Sequence, residues 1–281
     1  MFKIFSCFLI LMLTYSCRKD KINIEPKTEA YSFFVAGHSY GSPSNYMGGL
    51  YSPFVSKFSL INQDSTIKMG FLTGDIVKYS TPLYWDLADY DLSLLNVPTN
   101  FAVGNHDVTD LPLYTSRYGE TYYSFLFYED LYIVLDGNLD GWRISGKQLE
   151  FLKETIESYK SISKNIFIFS SQVIYADTKG VNYNSPEGKI DPLNFNTEVL
   201  PILKQTGKNV YLFAGDVGAF DWGTPLFYEQ ESNITYIASG MGGGIKDNFL
   251  IVSVDTDKKV NFKIVALNGN DINALGDIEQ Y

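Results

Sequence analysis

The chain has 281 residues, a formal net charge of −10 and 45% hydrophobic residues. That length suits one large domain or two small ones. The charge argues against nucleic acid and against an anionic membrane surface, since both need basic patches; an anionic substrate stays open, because a bound metal ion reverses the sign locally.

The N-terminal stretch MFKIFSCFLILMLTYSC has one lysine and an apolar run too short to span a bilayer. Thr14, Tyr15 and Ser16 lead into Cys17, and this order resembles a bacterial lipoprotein signal. By that resemblance Cys17 becomes the lipidated first residue of an exported protein, anchored to the cell-envelope membrane by its acyl chains. The competing reading is an ordinary secretory signal cut elsewhere. Cys7 and Cys17 are the two cysteines and both lie in this segment, so a disulfide is not expected in the mature domain. Residues 18–29 are polar and charged and read as a tether. A single domain is expected over 30–270, followed by a C-terminal tail over 271–281.

Within the domain, short apolar strands alternate with helical or loop segments. Tyr31–Ala36 reads as the first strand, followed by a polar, glycine-rich loop from Gly37 to Gly49. Ile67–Thr73 is the second strand, ending at Gly74-Asp75, and Trp85–Leu95 has helical spacing. Val97–Val103 is the third strand, ending at Gly104-Asn105. Tyr122–Tyr128 and Leu131–Asp136 form a hairpin around Glu129-Asp130. Ser145 reads as the N-cap of a helix to about Tyr159, with Gln148 completing a capping box. Asn165–Phe169 is a strand, Glu198–Gln205 a short helix ended by Gly207, and Val210–Ala214 a strand ending at Gly215-Asp216. Ile234–Ala238 ends at Ser239-Gly240, and Phe249–Asp255 with Val260–Leu267 form a second hairpin.

Several of these strands are apolar on both faces, which implies a buried sheet with helices outside. The 21 tyrosines and 20 phenylalanines are spread along the whole chain, which fits sheet packing better than a stacking platform for sugars or bases. Polar residues recur just after strand ends: His38, Asp75, Asn105, Ser170 to Gln172, and Asp216. In open α/β sheets that edge binds ligands.

GDIVK at Gly74–Lys78 followed by GNHD at Gly104–Asp107 resembles the calcineurin-like metallophosphoesterases. TYYSFLFYEDLYIVLD, ISGKQLEFLKETI and ITYIASGMGGG resemble the middle and late segments of that family. The resemblance covers roughly Tyr31 to Leu267. It implies an α/β (α+β) fold, a four-layer αββα sandwich of two mixed β-sheets. It also implies hydrolysis of phosphoesters by a pair of metal ions that clamp the phosphate and activate a bridging water.

Carried over residue by residue, the resemblance is incomplete. The family opens with aspartate, one residue, then histidine; here Ala36-Gly37-His38 keeps the histidine alone. Asp75 matches the aspartate that bridges both metals, Asn105 the asparagine of the second metal, and His106 the histidine that acts on the substrate or leaving group. Ser170, Ser171 and Gln172 stand where a histidine is expected, and Gly215-Asp216-Val217-Gly218 stands where two are. The ligands left are His38, Asp75, Asn105 and Asp216, an oxygen-rich set. The resemblance therefore implies one divalent ion rather than two, with Mn, Mg or Ca favoured over Zn, and no metal as the competing outcome. His106 and His38 are the catalytic candidates, and Asn105 and Gln172 the substrate-binding ones.

Each residue also has a plainer reading. Asp75 and Asp216 can be turn formers or helix caps, His38 a hydrogen-bonded structural histidine, and Asn105-His106 an inherited turn. The Gly run after Met241 can cradle a phosphate or be a simple turn. Two functions follow. One is an exported hydrolase acting on a phosphoester of a small molecule or an envelope glycan. The other is a catalytically inactive lipoprotein that binds a polysaccharide or a protein partner.

Overall fold

The computed structural model describes residues 29–45, 48–183, 186–218 and 224–281. The signal-like segment, Cys17 and nearly all of the tether lie outside the described residues. Among the described residues no helix is long and apolar enough to cross a membrane.

Among the described residues, eleven strands and seven α-helices follow in this order: β1 (Tyr31–Gly37), α1 (Ser52–Val55), α2 (Phe58–Gln63), β2 (Ile67–Thr73), α3 (Pro82–Leu92), β3 (Thr99–Ala102), α4 (Leu111–Tyr118), β4 (Tyr123–Phe127), β5 (Asp130–Val134), α5 (Gly146–Tyr159), β6 (Asn165–Ser170), α6 (Ala176–Lys179), α7 (Leu200–Gln205), β7 (Asn209–Ala214), β8 (Leu226–Glu231), β9 (Ile234–Ser239), β10 (Asn248–Val254) and β11 (Val260–Ala266). One sheet has the order β11-β10-β1-β2-β3, the other β4-β5-β6-β7-β9-β8. β1, β2 and β3 are mutually parallel, as are β5, β6, β7 and β9, while β10, β11, β4 and β8 join antiparallel. Both sheets are therefore mixed.

The alternation of side chains along each strand builds the layers. In β1, Phe33 and Val35 enter the core between the sheets, and Phe34 and Ala36 enter the core beneath the helices. In β5, Tyr132 and Val134 face the other sheet, and Leu131 and Ile133 face α5 and α7. Trp85, Ala88 and Tyr114 bring α3 and α4 onto the first sheet, and Leu152, Ile156 and Leu203 bring α5 and α7 onto the second. The result is a four-layer αββα sandwich. The aromatic residues fill its middle. Phe71 of β2 stacks on Phe169 of β6 with ring centres 3.7 Å apart, and Phe33 meets five rings edge-on.

Several local expectations change. α3 starts at Pro82, three residues before the expected Trp85, because Thr81 accepts a hydrogen bond from the Tyr84 amide and Pro82 fits the first turn. β3 is shorter than expected. The capping box at α5 does not form: the Ser145 hydroxyl donates to Asp140 at 2.6 Å, and Gln148 exchanges two hydrogen bonds with the Asp136 backbone. α1, α2, α4, α6 and β8 add to the elements read from the sequence. β8 carries Glu229 and Glu231 on an edge, where charge discourages pairing with another chain. The last residues return to the body of the domain, with Ile278 buried in the inter-sheet core.

Candidate functional site

The C-terminal ends of β1, β2, β7 and β9 converge. Glycines make this approach possible. A Cβ on Gly37 would stand 2.1 Å from the Ser239 carbonyl oxygen, and one on Gly215 would stand 1.8 Å from that of Thr73. The next residues turn sharply. His38, Asp75 and Asp216 have φ of 52°, 48° and 55°, the left-handed region that non-glycine residues seldom enter. Three such residues at one sheet edge mark a place where the surroundings impose backbone strain, as functional sites do.

His38 and Asp75 face each other. His38 Nδ1 lies 2.9 Å from the Met241 carbonyl and therefore carries the proton. That leaves Nε2 3.6 Å from Asp75 Oδ2, with both side chains buried. Burial lowers the His38 pKa; the Asp75 charge opposes this and His106 adds to it. A neutral His38 thus directs a lone pair at a carboxylate. Asp216 is also buried. Burial, then the charges of Asp75 and Glu187, hold its carboxyl well above the usual range.

The GNHD turn lies against this pair. The His106 amide donates to Asp75 at 3.4 Å, and its Nδ1 meets the Lys78 carbonyl at 2.8 Å. The Tyr40 ring sits between the two imidazoles, 4.4 Å from His38 and 5.1 Å from His106. Asp107 is a clamp: its carboxylate accepts from the amides of Ile76, Val77 and Gly104 at 2.8, 3.0 and 2.8 Å. It binds the Asp75 turn to the GNHD turn. Burial and the Asp75 charge push its carboxyl up, against the pull of those amides.

The other candidates are placed differently. Asn105 donates its amide to Glu187 at 3.0 Å, and the Glu187 carbonyl accepts from the Trp142 indole at 3.1 Å. Gln172 does not open to the cleft. It is 1% exposed, its amide donates to Asn138 at 2.7 Å, and its buried carbonyl oxygen packs near Gly137. Its assignment as a substrate-binding residue is corrected on this ground. The glycine turn after Met241 does hold an anion, but an internal one: the amides of Gly242, Gly243 and Gly244 donate to the Asp247 carboxylate. Tyr40, Asp107 and Glu187 were missed in the sequence. Asp107 ends the GNHD motif and had a signal; Tyr40 and Glu187 sit in loops and had none.

The donor set does not fit the family's pair of ions. Ala36, in place of the first aspartate, is packed in the core beneath the helices. Among the described residues no three His, Cys, Asp or Glu side chains converge as a metal centre. What is left is the His38–Asp75 pair, with Asp216 coupled to it by charge. A cation between these two facing groups would relieve their repulsion, but no third side chain of these types completes a centre there among the described residues.

No family model and no curated protein matches this chain in sequence. In structure it is similar to a purple acid phosphatase from yellow lupin (Lupinus luteus) seeds, with a TM-score of 0.65 and 12% identity over 88% of this chain and 53% of that one. The chain thus spans about half the length of that phosphatase. Chaetomium thermophilum Vps29 matches with a TM-score of 0.36 and 10% identity, over 83% of this chain and 94% of that one. The fold is the metallophosphoesterase-like sandwich of two mixed sheets with flanking helices.

Proposed function

We propose that this chain is a divergent metallophosphoesterase that hydrolyses a phosphoester with one divalent ion rather than two. One observation carries the reading: the Nε2 lone pair of a buried His38 aimed at the Asp75 carboxylate, 3.6 Å away. Without a cation that arrangement is repulsive, and the Asp75 and Glu187 carboxylates would repel a phosphate as well. His38 and Asp75 would hold the ion, with the Asn105 carbonyl oxygen as a further donor, and Asp216 would add negative charge from beyond them. One imidazole among oxygens favours manganese, magnesium or calcium over zinc. When bound, such an ion neutralises the cleft and polarises a phosphoryl oxygen.

The other roles belong to the chain itself. The Lys78 carbonyl fixes His106 through Nδ1, so its Nε2 is the ring nitrogen left to meet the leaving oxygen, and it donates there only when the ring carries both protons. Tyr40 packs against both imidazoles and fixes their positions. Asn105 is oriented by Glu187 for contact with substrate. The substrate is a phosphoester of a small molecule or an envelope glycan. The signal-like segment ending at Cys17 supports export and lipid anchoring in a bacterial envelope.

The test measures metal content, metal-dependent melting temperature and hydrolysis of p-nitrophenyl and bis(p-nitrophenyl) phosphate, with Asp75→Ala as control. A melting rise with Mn, Mg or Ca and metal-dependent hydrolysis, both lost in Asp75→Ala, is the expected result. No bound ion and no hydrolysis overturns it. The second reading is then preferred, a non-catalytic lipoprotein that binds a polysaccharide or protein. Ala36 in the core and the sealed Gln172 favour that reading, since neither position can supply a ligand.

A further inference from the structure

A second cleft lies at the opposite end of β7 from Asp216. Its volume is 670 Å³, within the ~300–1,000 Å³ range of small-ligand sites. Asn209 and Tyr211 open it from the start of β7, Tyr228 and Gln230 from β8, and Asn261 and Phe262 from the start of β11. The final turn, Ile278–Gln280, packs on β8 and β11 and closes one side.

Its lining joins two chemistries. Phe262 is held edge-on or tilted by Tyr211 at 5.8 Å and Tyr228 at 6.0 Å, so the aromatic wall is fixed before any ligand arrives. Around it stand three exposed amides, Asn209, Gln230 and Asn261, whose side chains make no hydrogen bond among the described residues. The charge is acidic. Lys258 is committed to the Tyr128 carbonyl and to Asp130, which leaves Lys259 against Asp257, Asp277 and Glu279. Phosphate, sulfate and uronate ligands are repelled by that balance. An apolar peptide finds too few apolar partners. Sugar hydroxyls find acceptors and donors in the amides and carboxylates, and sugar C–H faces pack on fixed rings.

We propose that this cleft binds a neutral oligosaccharide, independently of the His38–Asp75 site. The full-length protein is titrated with neutral hexaoses of glucose, mannose and xylose and with an oligouronate. Tyr228→Ala, Asn261→Asp and Asp75→Ala are run in parallel, each checked for its melting transition. Millimolar or tighter binding of at least one neutral hexaose is expected, weakened about tenfold by Tyr228→Ala and by Asn261→Asp and unchanged by Asp75→Ala. Asn261 is exposed, so its variant tests the cleft without disturbing the core. The proposal is overturned if no neutral hexaose binds, if the oligouronate binds in preference, if both cleft variants bind as the parent does, or if Asp75→Ala alone removes binding.

Discussion

His38 Nε2 and Asp75 Oδ2 stand 3.6 Å apart, and the proton on the other ring nitrogen is already given to Met241. The Asp75 charge also raises the carboxyls of Asp107 and Asp216. Without metal, that charge works against both neighbouring carboxyls. Asp75→Asn keeps a residue type that tolerates positive φ and removes that charge. The variant should be about 0.5–2 kcal/mol more stable than the parent in chelator, by denaturant unfolding, and should lose any stabilisation by added Mn or Ca. A less stable Asn variant in chelator would show that His38 and Asp75 are a simple ion pair.

Asp107 accepts three buried backbone amides and touches no solvent. Truncation strands those donors together, at about 1–3 kcal/mol for an unsatisfied group. Asp107→Ala should lose about 3–5 kcal/mol by urea unfolding. The His106 turn should loosen with it, seen as faster hydrogen exchange at Gly104 and Ile76. Loss of stability without faster exchange there would contradict the clamp.

Asp130 is fully buried and accepts from Tyr31 at 2.7 Å, the Asn165 amide at 3.0 Å and Lys258 at 3.1 Å. Burial still wins, and its pKa is raised despite those donors. The sign follows. The folded state holds the Asp130 proton more tightly than the unfolded chain, so its contribution to stability is full at low pH and declines as pH rises from about 4. Asp130→Asn cannot ionise. Parent and variant compared by chemical denaturation across pH 3 to 7 should show the parent falling relative to the variant as pH rises. The opposite trend would mean that Lys258 outweighs burial.

These residues also show what the sequence could reveal. β2 has the bounds expected, because a run buried on both faces and closed by glycine has few alternative readings. β8 escaped because only its first half, Leu226 to Tyr228, is apolar and Glu229, Gln230 and Glu231 follow on an edge, a weaker signal. At the site, strand ends followed by polar residues pointed to His38, Asp75 and Asp216. Glu187 could not be found that way: it comes from a loop 82 positions after Asn105 and is brought in by tertiary folding alone. Gln172 was misread because position after a strand does not fix direction, and its amide turns to Asn138.

The seam between the two sheets gives the last prediction. His38 follows the first sheet and Asp216 the second, so both can share a cleft only if the strand ends touch. At Gly215 an added Cβ would meet the Thr73 carbonyl at 1.8 Å, and at Gly37 it would meet the Ser239 carbonyl at 2.1 Å. Both obstacles are backbone, which cannot rotate away as a side chain does. Gly215→Ala and Gly37→Ala should each cost more than about 3 kcal/mol, whereas Gly188→Ala meets nothing and is strained only by its φ of 73°, at about 1 kcal/mol. Thermal unfolding of the three variants is the measurement. If Gly215→Ala costs no more than Gly188→Ala, the sheets are not pressed together at this edge. His38 and Asp216 would then not belong to one cleft, and Asp216 would drop out of the one-ion reading.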